Sequence, residues 1–207
     1  MEDSHKLETI AAWLGTGSIN IFGRPFSGKD TQGRMLAEQF GGILLGGGEI
    51  LRNSVIPEDI KTLMKNGILI PIDAYIDIVL PYLEQASLSE KPLILSSVGR
   101  WHGEEDGVLA AAKQSGHPAK AVIYLDLDEM TVRDRWALLH VEADRGHRHD
   151  DTEEILETRL NEYRNKTLPV IEHYKDLGLL LSIDGNRPRE QVYGEIIEQL
   201  YAHAMKQ

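Results

Sequence analysis

The first stretch whose residue types and spacing could do chemistry is Gly23-Arg24-Pro25-Phe26-Ser27-Gly28-Lys29, which satisfies G-x-x-x-x-G-K. Glycines at both ends let the backbone curl until successive N–H groups face one point, and the lysine beside them adds a positive charge. Such a curl, with Pro25 and Ser27 inside it, suits a nucleotide's phosphates, and Lys29 would bridge the β- and γ-groups. The residue after the lysine is usually Ser or Thr, whose hydroxyl reaches Mg²⁺; here it is Asp30, followed by Thr31. A carboxylate at that point repels phosphate unless it faces a metal ion or pairs with a nearby cation. Both alternatives stay open on the residues alone.

A loop of this kind works only between a strand and the start of a helix, and the flanking sequence supplies both. Ile19 to Phe22 is a mostly apolar run, and Met35, Leu36 and Phe40 give the following segment a helical stripe. Upstream, Leu7, Ile10, Ala11 and Leu14 predict a short amphipathic helix ending near Gly15 and Gly17. Downstream, Ile43 to Leu45 reads as a second strand, ended by Gly46, Gly47 and Gly48. Helical patterns then cover Pro57 to Asn66, Ile72 to Gln85, Gly107 to Ser115 and Val132 to Leu139. Strands are expected at Pro92 to Leu95, Ala121 to Leu125 and Leu179 to Ile183, and a last helix at Pro188 to Met205. A long helix should start at Asp151, with Glu154 placed to complete a capping box. Its apolar face runs through Leu156, Leu160, Tyr163, Thr167, Val170 and Tyr174, and Pro169 inside that stripe predicts a kink or break. Asp126 and Asp128 are placed to cap the helix after the fourth strand. Apolar strands alternating with helices predict an α/β fold, a parallel sheet covered on both faces.

Composition sets the outer limits. A length of 207 residues suits one domain, and Lys plus Arg number 22 against 33 Asp plus Glu, a net charge of −11. That balance argues against a broad nucleic-acid or anionic-membrane surface, so anion binding must rest on a few isolated basic residues. There are no cysteines, which rules out disulfides and thiol chemistry. Residues Met1 to Lys6 lead into no long apolar core and no run is long enough to span a bilayer, so a cytoplasmic protein is expected. His147 and His149 sit in a polar segment and read as solvated, while G-x-S-x-G and G-x-G-x-x-G are absent.

Beyond the loop, the order of features resembles the nucleoside monophosphate kinases, adenylate kinases in particular, over about residues 18 to 200. Gly23 to Gln32 is similar to that family's ATP-binding loop, with Asp30 in place of a glycine and Thr31 in its usual place. Gly48-Glu49-Ile50-Leu51-Arg52 resembles the segment whose arginine binds the acceptor monophosphate, and Asn66 to Pro71, with Ile70, the stretch whose backbone contacts the acceptor base. Gly99-Arg100 stands where the family has proline-arginine, which makes Arg100 a second clamp on the acceptor phosphate. Arg135 matches the arginine at the end of the helix after the fourth strand, which packs on the ATP base, and Asp184 to Pro188, with Arg187, resembles the late loop touching that base. Arg148-His149-Asp150-Asp151 and the downstream Arg159 look like the arginines that close over the transferring group; Tyr163 and Thr167-Leu168-Pro169 fall at matching offsets.

The resemblance implies a P-loop NTPase fold with a five-stranded parallel sheet, a helical acceptor-binding insertion at residues 46–86 and a short lid at 140–150, after an N-terminal helical extension at 1–17. It implies a monomer acting on ATP with Mg²⁺ and on a nucleoside monophosphate. Lys29, Arg100, Arg148 and Arg159 would be catalytic. Arginines suit that work because they stay charged and donate a planar fork to two oxygens at once.

Departures from the family pattern bear on activity more than on fold. Ser96 stands where the family has an aspartate holding a Mg²⁺-bound water, Gly47 where a threonine lines the acceptor pocket, and Phe26 where the loop has a glycine free to take positive φ. No arginine occupies Leu139 or His140, and Arg145 is a stand-in. Asp30 is read as the metal-directed carboxylate that Ser96 lacks, with pairing to a basic neighbour as the rival reading. Glu104 replaces a glutamine that reads the adenine edge; an ionised glutamate only accepts, which suits guanine N1–H and N2–H, although adenine can donate through its amino group. AMP is the expected acceptor. The alternatives are a nucleotide-binding relative that has lost catalysis and a P-loop kinase for another small molecule.

Overall fold

A computed structural model describes residues 2–83, 85, 88, 90–141 and 152–206. Five strands, β1 (Ser18–Gly23), β2 (Ile43–Gly46), β3 (Leu93–Ser96), β4 (Ala119–Asp126) and β5 (Leu180–Asp184), form one sheet in the order β2-β3-β1-β4-β5. Every pairing is parallel, as the apolar runs predicted. The register sets Gly46 beside Ser96, Ile21 beside Ser96 and Gly23 beside Leu125, so all five carboxyl ends share one edge. From β1 the chain leaves toward β2, and from β3 it crosses to β4 on the opposite side. A crevice opens where two such connections diverge, which is where open parallel sheets hold ligands.

The alternation along β1 decides what each face meets. Ile19 and Ile21 belong to a core shared with Ile10 and Leu14 of α1 (Glu2–Leu14), Leu36 of α2 (Lys29–Phe40) and Ile196 and Leu200 of α10 (Arg189–Ala204). Phe22, one position out of phase, packs with Val170, Ile171 and Tyr174 of α9 (Leu168–Asp176) on the other face. The N-terminal helix is thus part of the main core rather than an appendage.

Three short helices, α3 (Gly47–Asn53), α4 (Glu58–Lys65) and α5 (Ile72–Leu83), follow β2, and their core residues Ile50, Leu51, Ile60, Tyr75 and Val79 pack with Leu93 and Leu95. α3 was not expected, since the glycines at 46–48 read as a stop. Burial of Ile50 and Leu51 overrides the poor helix propensity of Gly47 and Gly48, and Gly46 serves as an extended N-cap.

Two boundaries also differ. After α6 (Glu105–Gln114), helix α7 (Glu129–Val141) continues past Arg135, which therefore lies in mid-helix, and Asp128 caps it by accepting the Thr131 N–H at 2.7 Å. Helix α8 (Glu153–Glu162) is capped by Thr152, whose hydroxyl accepts from the Ile155 N–H; Asp151 lies outside the described residues. The break expected at Pro169 takes the form of a π-helical turn, Tyr163–Thr167, immediately before α9. Proline cannot donate to the carbonyl four residues back, and a widened turn absorbs that loss while the chain stays helical.

No helix of the described residues is long and apolar enough to cross a membrane. Since α1 is packed into the core, Leu14→Ala should lower stability by about 2–4 kcal/mol. Urea unfolding checks this: a change below ~0.5 kcal/mol would show that α1 is not part of the cooperative core.

Candidate active site

At the carboxyl edge of the sheet lies a cleft of about 630 Å³, open to solvent. The glycine-rich loop forms one wall. Its curl needs Gly28 at φ +85°, the left-handed N-cap of α2, where a side chain would be strained. Phe26 takes φ +60° in the same loop, a left-handed conformation that a glycine adopts freely; packing of its ring against the main core offsets a strain of order 1 kcal/mol. Lys29, Asp30 and Thr31 face the cleft, and Lys29 Nζ lies 3.4 Å from the Arg24 carbonyl.

Arg24 is itself a brace. Its guanidinium bonds Asp126 and the Leu127 carbonyl and lies 5.3 Å from the centre of the Tyr163 ring. The Tyr163 hydroxyl donates to that of Tyr124, and burial holds both phenols above their usual range.

The opposite wall is the turn after β3. Asn20 of β1, buried within the sheet, grips it by donating to the Val98 carbonyl at 2.7 Å and accepting the Val98 N–H at 3.3 Å. Gly99 follows at φ +76°, which proline cannot reach, and its N–H donates to the Tyr75 hydroxyl at 2.8 Å. The Ser97 carbonyl of the same turn, with Tyr75 behind it, accounts for Gly47. A Cβ there would lie 2.9 Å from the Ser97 carbonyl and 3.1 Å from the Tyr75 hydroxyl, so the threonine side chain of the family pattern has no room.

Ser96 and Asp30 meet. The serine hydroxyl donates to Asp30 Oδ1 at 2.5 Å, bringing a carboxylate to the end of β3 from the first turn of α2. Among the described residues no group of three or more His, Asp or Glu side chains is placed to hold a metal by itself.

Other cleft residues are positioned through the main chain. Glu162 Oε2 accepts the Leu69 N–H at 2.9 Å and pairs with Lys166 at 2.6 Å, and Lys166 lies 3.8 Å from the centre of the Trp101 ring. Thr167 donates to the Arg100 carbonyl at 3.0 Å. The stretch from Glu162 to Thr167 thus holds both the Leu69 and the Arg100 segments, and the π-helical turn sets its side chains at that spacing. Glu104, only 3% exposed, accepts the N–H groups of Arg100 at 2.8 Å and Trp101 at 3.1 Å. Burial raises its pKa to about 7, against the pull of those two N–H groups and the Arg100 charge.

Of the residues singled out in the sequence, Gly23, Pro25, Gly28, Lys29, Asp30, Thr31, Gly48, Arg52, Ile70, Arg100, Glu104 and Arg159 line this one cleft. Ser27 does not; its hydroxyl is buried beneath the loop against Gly23. Arg135 ties the loop to the end of β5, donating to the carbonyls of Phe26, Ser27 and Gly185. Arg187 pairs with Asp184 at 3.0 Å and Glu195 at 3.1 Å, outside the cleft. Arg145, Arg148 and most of the 140–150 segment lie outside the described residues.

Tyr75, Glu162 and Arg34 also line the cleft and were not singled out. Arg34, one turn beyond Asp30 on α2, was within reach of helical spacing; the other two carry no local signal.

The chain matches the family model described as adenylate kinase over residues 21–179. An adenylate kinase of Methylobacterium nodulans is 34% identical over 182 residues, covering 84% of this chain and 91% of its own length. One of Methylorubrum extorquens is 32% identical over 186 residues, covering 86% and 92%. One of Prochlorococcus marinus is 30% identical over 185 residues, covering 87% and 96%.

The raised pKa of Glu104 has a consequence for folding. A carboxyl that titrates near 7 folded and near 4.5 unfolded binds protons more tightly when folded. Stability therefore falls as pH rises through that window and is level above it. Thermal unfolding against pH should show this loss, on the order of 2 kcal/mol by pH 8, in the wild type and not in Glu104→Gln.

Proposed function

Because this chain belongs to the adenylate kinase family, a family of phosphotransferases, we propose that it moves the γ-phosphoryl group of ATP reversibly to AMP. The observation that carries this reading is the gathering of Lys29, Arg52, Arg100 and Arg159 around one cleft in a protein of net charge −11. Four cations reaching one cleft match the several negative charges of a nucleotide's phosphates.

In the proposed reaction the loop N–H groups and Lys29 hold the β- and γ-phosphates of ATP. Arg52 and Arg100 grip the acceptor phosphate, and one of its oxygens attacks the γ-phosphorus. The bond from that phosphorus to the β,γ-bridging oxygen breaks, and two nucleoside diphosphates result. Arg159, joined by Arg148, offsets charge on the moving group, which is where most of the catalysis lies. Residues 46–86 would close over the acceptor and 140–150 over the donor, excluding water that would otherwise hydrolyse ATP.

The residues present fit a magnesium ion. Mg²⁺ is commonly held by one or two carboxylates together with substrate phosphates and water, and Asp30 presents such a carboxylate on the cleft wall, oriented by the Ser96 hydroxyl. Bound with ATP, the ion would supply charge neutralisation on the phosphates. In this reading Asp30, bonded to Ser96, would take over the role of the aspartate that Ser96 replaces.

A coupled ADP-release assay with AMP, GMP, CMP, UMP and dTMP tests the function. Turnover fastest with AMP is expected; tight ATP binding with turnover on none of them would favour a nucleotide-binding relative that has lost catalysis. For the metal, Asp30→Gly should lower kcat by about 10- to 100-fold and raise the Mg²⁺ concentration needed. Adding Ser96→Asp to that variant should restore much of the loss. An unchanged Mg²⁺ dependence in the single variant would remove Asp30 from the metal's surroundings.

A further inference from the structure

Glu104 accepts two backbone N–H groups through a single oxygen, Oε2. A carboxyl oxygen has two lone pairs for such bonds, so both are committed. A proton taken up by this side chain must then reside on Oε1, the oxygen left for whatever enters the cleft that Glu104 lines. With the residue 3% exposed, bulk water does little to screen the difference between the two forms. Ionised, Oε1 only accepts; protonated, it donates. Purine bases differ in the same sense. Adenine presents a bare ring nitrogen at N1, and guanine presents an N1–H.

We propose that the proton on Glu104 Oε1 selects the acceptor base, the neutral acid donating to adenine N1 and the carboxylate accepting from guanine N1–H. This rests on the nucleoside monophosphate kinase reading and adds which acceptor is preferred at which pH.

The surroundings set the change near neutrality. Burial raises Glu104 to about 7, Arg100 pulls it down and the Glu105 charge adds to the rise. Tyr75 of α5 is held far above its usual range, first by burial and then by the Glu104 charge, so it stays neutral throughout. Arg52 from α3 and Arg159 and Glu162 from α8 line the same cleft, and the arginines keep their charge at any working pH. An acceptor phosphate entering beside Arg100 adds negative charge, which strengthens the hold on the proton. His102 pairs with Glu105 at 2.6 Å, and that pair is unaltered by a change at residue 104.

The test is the ratio of kcat/KM for AMP to that for GMP, measured from about pH 6 to about pH 8.5. The two phosphates titrate alike, so their own protonation cancels in the ratio. In the wild type the ratio should fall by about tenfold across the range, the scale of one hydrogen bond to a charged group. In Glu104→Gln, whose amide donates at all pH values, it should stay level and favour AMP. A level ratio in the wild type, or the same slope in Glu104→Gln, overturns the proposal. The corresponding ratio of binding constants, from calorimetry, separates the two readings. Selective binding with this pH dependence but without turnover would overturn phosphoryl transfer and keep the selector; turnover with a pH-independent ratio would do the reverse.

Discussion

Like charges must be held together against their repulsion, and the architecture around the cleft answers to that constraint. Lys29, Arg52, Arg100 and Arg159 come from α2, α3, the turn after β3, and α8. The groups that fix these segments grip main-chain atoms. Asn20 holds Val98, Thr167 and Glu104 hold the two sides of the Arg100 peptide, and Glu162 holds Leu69. A backbone hydrogen bond fixes where each of these side chains starts, so the cations reach the cleft from set positions.

The departures from the family pattern do not act singly. Loss of the carboxylate at Ser96 and its gain at Asp30 meet in one hydrogen bond, because β3 lies beside β1 and α2 starts just beyond β1. Tyr75 bears on two of the glycines: its hydroxyl stands beside Gly47, where the Ser97 carbonyl is the nearer obstacle to a side chain, and accepts the N–H of Gly99. A proline at 99 could offer no such N–H. Phe26 is different in kind: its ring is anchored in the core, and the loop keeps its curl at an energetic cost.

Glu104 shows how one substitution acquires a property that its residue type lacks. On the surface a glutamate is ionised at neutral pH. Here desolvation outweighs the two N–H groups and the neighbouring guanidinium and raises the carboxyl to about 7, where small changes in charge can move the proton.

What the sequence determined by itself was whatever depends on near neighbours. The loop Gly23 to Lys29, the apolar alternation of the strands and the break at Pro169 are set by residues within a few positions of each other, and steric rules read them directly. The family's spacing extended that reach to Arg52, Arg100, Glu104 and Arg159, which the folded chain places in one cleft. Tertiary structure alone decided that Asp30 would touch Ser96, 66 residues away, that Tyr75 would occupy the room beside Gly47, and that α3 would form across its glycines. It also moved Arg135 and Arg187 onto carbonyl and carboxylate partners beside the cleft rather than within it. Such outcomes depend on burial and on distances through space, which no pattern along the chain encodes.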